Sequence, residues 1–278
     1  MRIVALEEHF NVPSLVQRID PDAIARFGFP PGSGGPLAEK LADLGAPRLA
    51  DMDEAGITVH VLSASGPGAY LLDGAEGIAF ARDINDALAK AVSTYPDRLA
   101  GFAHLPMNSP QAAADELERS VRDLGFCGAL INGVTEGRFL DHPDFEPILS
   151  RAEALDMPIY LHPGLPPRSV YEAYYDGLPG TTGFRLSTSA WGWHSETAIH
   201  VMRLVLSGAL DRHRKLKLII GHMGEGLAAM MVRSDKILTP EAPHLKRSVK
   251  QTILDHVWVT TSGLFTLPPL ETLLAVFG

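Results

Sequence analysis

Only one cysteine, Cys127, occurs in the 278 residues, so no intrachain disulfide can form, and a reducing cytoplasm is the expected setting. No window holds the roughly 20 apolar residues that would cross a bilayer, so no membrane association is expected. A secretory leader is not expected either, because Glu7 and Glu8 interrupt the first apolar run. Basic runs are missing as well. The 24 Lys and Arg face 33 Asp and Glu, and the formal charge of -9 argues against a nucleic-acid partner. There is no internal repeat and no low-complexity tract. One more absence narrows the fold. A doubly wound nucleotide-binding sheet carries a Gly-rich phosphate turn after its first strand, whereas "MRIVALEEHF" ends its first apolar run in two acids and a histidine.

What is present is alternation. At 46% hydrophobic content a chain of this size can build a large core. Short apolar or β-branched runs at Ile3–Leu6, Val59–Ser63, Ala100–Leu105, Gly128–Asn132, Pro158–His162, Leu216–Gly221 and Val257–Thr261 read as strands. Between them, apolar residues three and four apart predict helices over Ala38–Ala55, Gly77–Tyr95, Pro110–Leu124, Pro147–Leu155, Glu196–Ser207 and Gly226–Ile237, with a last one over Pro268–Val276. Strands alternating with helices imply βαβ units and a parallel sheet. Seven such units point to an α/β fold of the (β/α)8 TIM-barrel kind, in a single domain spanning 1–278. The eighth strand that closes such a barrel has no counterpart, so a barrel cut short before strand 8 is the expectation. Two Gly- and Pro-rich stretches, Asp20–Pro36 and Gly164–Trp193, are expected to be irregular and to cover a site.

Barrel enzymes place their chemistry at the C-terminal ends of strands. Here those ends carry Glu7 and His9, then His104, Asn132, His162, His222 followed by Glu225, and the run Thr260–Gly263. Glu7 and His9 are two apart, so an unbroken strand points both to one face and Glu8 to the other. A carboxylate beside an imidazole suits a divalent metal such as Zn²⁺ or Mn²⁺. His162 could add a third ligand, and His222 could be either a fourth ligand or a proton-transfer group. Blander readings stand beside these. Glu-x-His alone is a weak motif. His162 and His104 could be satisfied core histidines, Asn132 a turn residue, and Glu225 a helix-start acid that favours the dipole. Glu8 reads as structural, paired with a helix-borne Lys or Arg. The bland readings would require several strand ends to carry polar groups by coincidence.

The stretches "ALEEHF", "ALING", "YLHPG", "IIGHMGEG" and "VTTSG" resemble the decarboxylase branch of the amidohydrolase superfamily, of the γ-resorcylate and 2,3-dihydroxybenzoate decarboxylase kind. The likeness runs from Arg2 to about Phe277. It implies a distorted (β/α)8 barrel of the metal-dependent hydrolase type holding one divalent metal, Zn²⁺ or Mn²⁺. It implies Glu7, His9 and His162 as metal ligands, with His222 and Glu225 as a catalytic pair. Asn132 and Arg233 would be substrate-binding residues, Arg233 across a subunit interface of a homodimer or homotetramer. The implied activity is non-oxidative decarboxylation of a hydroxylated aromatic acid. The alternatives are hydrolysis, as in an amidohydrolase or lactonase, and an inactive homologue. The resemblance also implies a last ligand, an aspartate after strand 8, which these 278 residues do not contain. Little activity is therefore expected of the chain as it stands. The aromatic residues of Gly164–Trp193, among them Tyr174, Trp191 and Trp193, suit a flat aromatic substrate or an apolar interface.

Overall fold

Seven short strands form in the order that the alternation predicts. They are β1 (Val4–Phe10), β2 (Val59–Ala64), β3 (Leu99–Gly101), β4 (Ala129–Asn132), β5 (Ile159–His162), β6 (Leu218–Ile220) and β7 (Val257–Val259). The computed structural model describes residues 1–28 and 37–278. The chain divides into two units, Met1–Leu130 and Ile131–Gly278, and the boundary falls within β4. The pairings β1–β2, β2–β3, β5–β6 and β6–β7 are all parallel, so the class is α/β with parallel sheets.

In the first unit the strand order is β1-β2-β3. A lone parallel bridge, Ala103 to Ala129, continues that order toward β4. Register slips by one residue between Ala5 and Glu8, so a bulge sits at Leu6–Glu7. A bulge re-aims the side chains beside it, and this one lies where the first candidate ligand stands. The helix Gly74–Thr94 packs its stripe of Phe80, Ile84 and Leu88 inward, each no more than 1% exposed. Gly101 is needed for this packing, because a Cβ there would sit 2.8 Å from the Phe126 ring and 2.9 Å from Leu88. Asn85 on the same helix pins the chain after β3. It accepts the His104 N–H at 2.8 Å and donates to the His104 carbonyl at 2.9 Å. The thiol of Cys127 lies against the Gly101 carbonyl at 3.3 Å, and burial pushes it up to about 11.

In the second unit the order is β4-β5-β6-β7. Ile159, Tyr160 and Leu161 of β5 are all buried, as are Leu218 and Ile220 of β6. Strands sunk this deeply read as unbroken apolar runs, which is why "PIYLH" and "LKLII" show no alternation. The helix Gly192–Leu206 turns Val201, Leu204 and Val205 inward.

Three sequence expectations need correction. The helix over Ala38–Ala55 is two, Leu37–Ala42 and Ala46–Glu54. Asp43 divides them, its carboxylate accepting the Gly45 and Arg48 N–H groups at 2.9 and 2.6 Å. Gly164–Trp193 is not irregular throughout, since it holds the helices Arg168–Tyr174 and Thr182–Ser187. Asp20–Pro36 opens with the helix Pro21–Phe27, capped by Asp20, and its residues 29–36 lie outside the described residues. Among the described residues no helix is long and apolar enough to cross a membrane.

Candidate active site

At the C-terminal end of β1 the bulge carries Glu7, and His9 pairs in register with Ser63 of β2. The His9 Nδ1 lies 3.0 Å from the Ser63 hydroxyl. That hydroxyl donates to the Glu8 carbonyl at 3.4 Å, so it accepts from Nδ1–H. The lone pair of His9 is thereby set on Nε2. Arg48 fixes the strand end through its backbone. Its guanidinium donates to the carbonyls of His9 at 2.9 Å, Lys40 at 3.1 Å and Asp43 at 2.7 Å. Glu8 is occupied differently, with its carboxylate 3.7 Å from the His60 Nε2. Burial raises the Glu8 carboxyl above the usual range, opposed by the positive charge of Arg48. The expected pairing of Glu8 with a helix-borne Lys or Arg is not what forms: its neighbour is His60 of β2, and Arg48 acts on it only through its charge.

The second unit holds a larger group. His162 ends β5, and its Nδ1–H donates to the Pro163 carbonyl at 2.8 Å. This puts the His162 lone pair on Nε2, the same tautomer as in His9. The carbonyl of His162 accepts the Gly133 N–H at 2.8 Å, which ties it to the end of β4 just after Asn132. Gly133 and Gly164 touch backbone to backbone. A Cβ on Gly133 would lie 2.8 Å from the Gly164 Cα, so neither position admits a side chain without displacing the His162 loop.

After β6 the chain enters an unusual turn. His222, Met223 and Glu225 take φ of 50°, 55° and 55°, and Gly224 and Gly226 take 82° and 77°. Non-glycine residues avoid this region, and such strain persists only where the surroundings over-determine it. Here they do. Met223 N–H donates to the Thr260 carbonyl at 3.1 Å. Thr260 links Tyr160 at 3.2 Å to Ser262 at 2.8 Å. The turn brings the Glu225 Oε1 to 2.7 Å from the His222 Nδ1. Gly263 lies flat against that ring, and a Cβ on it would stand 2.7 Å from the His222 Cδ2.

Glu225 has a second partner that the sequence did not reveal. His194, in the first turn of helix Gly192–Leu206, places its Nδ1 2.6 Å from the Glu225 Oε2. The ligand atoms of His194, His222 and Glu225 all lie within 4.8 Å of one another. The Glu225 side chain is fully buried, with 0% exposed. The rings of His194 and His222 stand 5.1 Å apart at 76°, and the His162 ring lies 6.3 Å from His222. Trp193 packs 6.1 Å from His162, and its buried indole N–H has no partner among the described residues. Arg233 does not join this group, being exposed on helix Leu227–Glu241. His104, by contrast, is a satisfied core histidine, its Nε2 accepting the Ala69 N–H at 2.9 Å. No signal in the sequence marks His194, because the apolar pattern starts its helix only at Glu196, two residues beyond it.

The amidohydrolase family model matches residues 18–278. A gamma-resorcylate decarboxylase of Rhodococcus jostii (strain RHA1) is 37% identical over 290 residues, spanning 99% of this chain and 84% of that protein. The crystal structure of 2,6-dihydroxybenzoate decarboxylase complexed with 2,6-dihydroxybenzoate matches at a TM-score of 0.85 and 38% identity, over 100% of this chain and 86% of that one. The dihydroxybenzoic acid decarboxylase of Polaromonas sp. JS666, solved with bound manganese and the inhibitor 2-nitroresorcinol, matches at 0.85 and 34%, over 100% and 84%. On fold and on sequence along its length, this chain belongs to the amidohydrolase family, in its decarboxylase branch.

Proposed function

We propose that this chain catalyses the non-oxidative decarboxylation of a hydroxylated aromatic carboxylic acid of the dihydroxybenzoate type. The observation that carries the reading is the buried Glu225 carboxylate holding the His222 imidazole at 2.7 Å, with the His162 ring beside it. An acid–base pair next to a ligand-type histidine suits proton delivery to a carbon, and the likeness to enzymes named for this reaction supports it.

Glu7, His9 and His162 are the proposed holders of one divalent metal, Zn²⁺ or Mn²⁺. The donor set fits such an ion: one carboxylate and two imidazoles, each with Nδ1 engaged and its lone pair on Nε2. A metal bound there would act as template and Lewis acid for a carboxylate and its neighbouring phenolic oxygen. The chain's own groups carry the rest. With Nδ1–H held by Glu225, His222 can give or take a proton only at Nε2. In the reaction the bond from ring carbon to carboxylate breaks, its electron pair stays on the ring carbon, and that carbon takes the proton as CO2 leaves. His222 is the proposed carrier of that proton and Glu225 the group that orients it and balances its charge. Asn132, at the end of β4, and Arg233 are proposed to contact the substrate. The indole N–H of Trp193, unpartnered among the described residues, offers a donor to a substrate oxygen. The exposed apolar Met230, Val232 and Ile237 on the helix that carries Arg233 support a homodimer or homotetramer. The lone cysteine supports a cytoplasmic setting.

The test is product analysis. Purified protein supplied with Mn²⁺ or Zn²⁺ and 2,6- or 2,3-dihydroxybenzoate should release CO2 and the matching diphenol in equal amounts, at the low rate expected of these 278 residues without the aspartate after strand 8. Release of neither, with turnover of a lactone or amide instead, would replace this reading with the hydrolytic one.

A further inference from the structure

We propose that His194 is a positioning residue of this site. By donating Nδ1–H to one oxygen of Glu225 it fixes the plane of that carboxylate, so that the other oxygen holds His222 in one ring orientation and one tautomer.

The argument rests on how a carboxylate can be held. The last torsion of a glutamate is broad and only roughly two-fold, so a single hydrogen bond leaves the group free to rock. The two oxygens of Glu225 have one imidazole each, His222 at 2.7 Å and His194 at 2.6 Å. Two bonds from two rings define a plane where one would not. Both imidazoles must donate, because a carboxylate only accepts. His222 is therefore held with its proton on Nδ1, and Nε2 becomes its reactive nitrogen. Removing the His194 donor would leave the Glu225 Oε2 buried with that bond unmade, a costly state that the side chain would escape by rotating. Rotation would withdraw Oε1 from His222.

The placement of His194 adds a second reason. Its side chain is 24% exposed while that of Glu225 is 0% exposed, so the ring closes the carboxylate off from the surface. It belongs to helix Gly192–Leu206, a different element from the strained turn that carries His222 and Glu225. A turn with three non-glycine residues at positive φ has little rigidity of its own, and an anchor on a packed helix supplies it. His194 reaches the reacting atoms only through Glu225 and His222, so it is not itself a catalytic residue.

Two variants separate positioning from packing. H194F keeps an aromatic ring against His222 and loses the donor. H194N loses the ring, but its amide N–H takes the place of Nδ1–H. The kinetic readout rests on the proposed decarboxylation. If His194 positions Glu225, kcat in H194F falls about 10- to 100-fold, the usual cost of losing a partner behind a site residue, with KM unchanged, and H194N recovers a good part of it. If H194F keeps full kcat, or H194N is the worse of the two while both unfold at the wild-type temperature, the ring acts by packing and the proposal fails. A second readout is independent of turnover. In ¹⁵N-histidine-labelled protein, His222 should show a hydrogen-bonded Nδ1–H signal that moves in H194F and returns in H194N. An unmoved signal overturns the proposal. Should wild-type protein fail to decarboxylate any aromatic acid, the proposed function falls, and this signal alone still decides the role of His194.

Discussion

Burial takes the imidazole of His104 down to about 4, and that of His200 likewise. Each is held neutral as an acceptor, His104 by the Ala69 N–H and His200 by the Leu140 N–H, both at 2.9 Å. Above pH 6.5 both rings are neutral whether the chain is folded or not, so their full contribution to stability is present. Between pH 6.5 and 4 the unfolded chain binds protons that the folded chain refuses, and stability falls. At pH 5 the loss is about 2 kcal/mol for each ring. Gln can accept the same N–H without titrating. The double variant H104Q/H200Q should therefore lose less stability than wild type between pH 7 and pH 5, and parallel urea midpoints for the two proteins would refute the assignment. At this scale the sequence singles out Glu7, His9 and His162 as candidates because each is a polar residue that closes an apolar run. Packing alone would have extended those runs. His194 was not legible. It closes no strand, and nothing in its spacing ties it to a carboxylate 31 positions away.

Among the elements, the turn Gly221–Gly226 and the loop after β7 that faces it carry the sharpest expectation. Gly226 and Gly263 both sit at positive φ, 77° and 71°, so Ala at either costs about 1–2 kcal/mol of backbone strain. They differ in what a methyl would meet: nothing within 4 Å at Gly226, the His222 ring at 2.7 Å at Gly263. G263A should thus lose more stability than G226A, since it adds a clash with the buried His222 ring to the backbone strain, and only G263A should lose most of its kcat. Equal kcat in the two variants, with both folded, would detach the His222 ring from turnover. The strands were legible because each is an apolar run of the right length. The short helices were not. Arg168–Tyr174 and Thr182–Ser187 have seven and six residues, too few to show a periodic face, and tertiary contacts rather than pattern decide them. The bulge at Leu6–Glu7 escaped notice for a related reason. Bulges follow from pairing with a partner strand, and a single strand's residues do not record that.

For the molecule as a whole, the alternation of strands and helices was enough to read the class and the parallel pairing, because parallel neighbours require a crossover between them. A metal held by the proposed ligands Glu7, His9 and His162 would bind the folded chain and not the unfolded one, so its binding should stabilise the fold by mass action. One divalent ion per chain is expected by elemental analysis. Dialysis against a chelator should lower the unfolding temperature, and Mn²⁺ at about 100 times its dissociation constant should restore about 2.7 kcal/mol. An unfolding temperature blind to both treatments would count against Glu7, His9 and His162 as a ligand set. The thiol of Cys127 has a practical consequence of another kind. Set against the Gly101 carbonyl and pushed up to about 11, it holds almost no thiolate at neutral pH. A cysteine introduced at a surface position such as Phe265, which is 88% exposed, would carry about 300 times more thiolate. The wild-type chain is in effect ready for maleimide chemistry, so a fluorophore or spin label can be fixed at one chosen point without first removing the native cysteine.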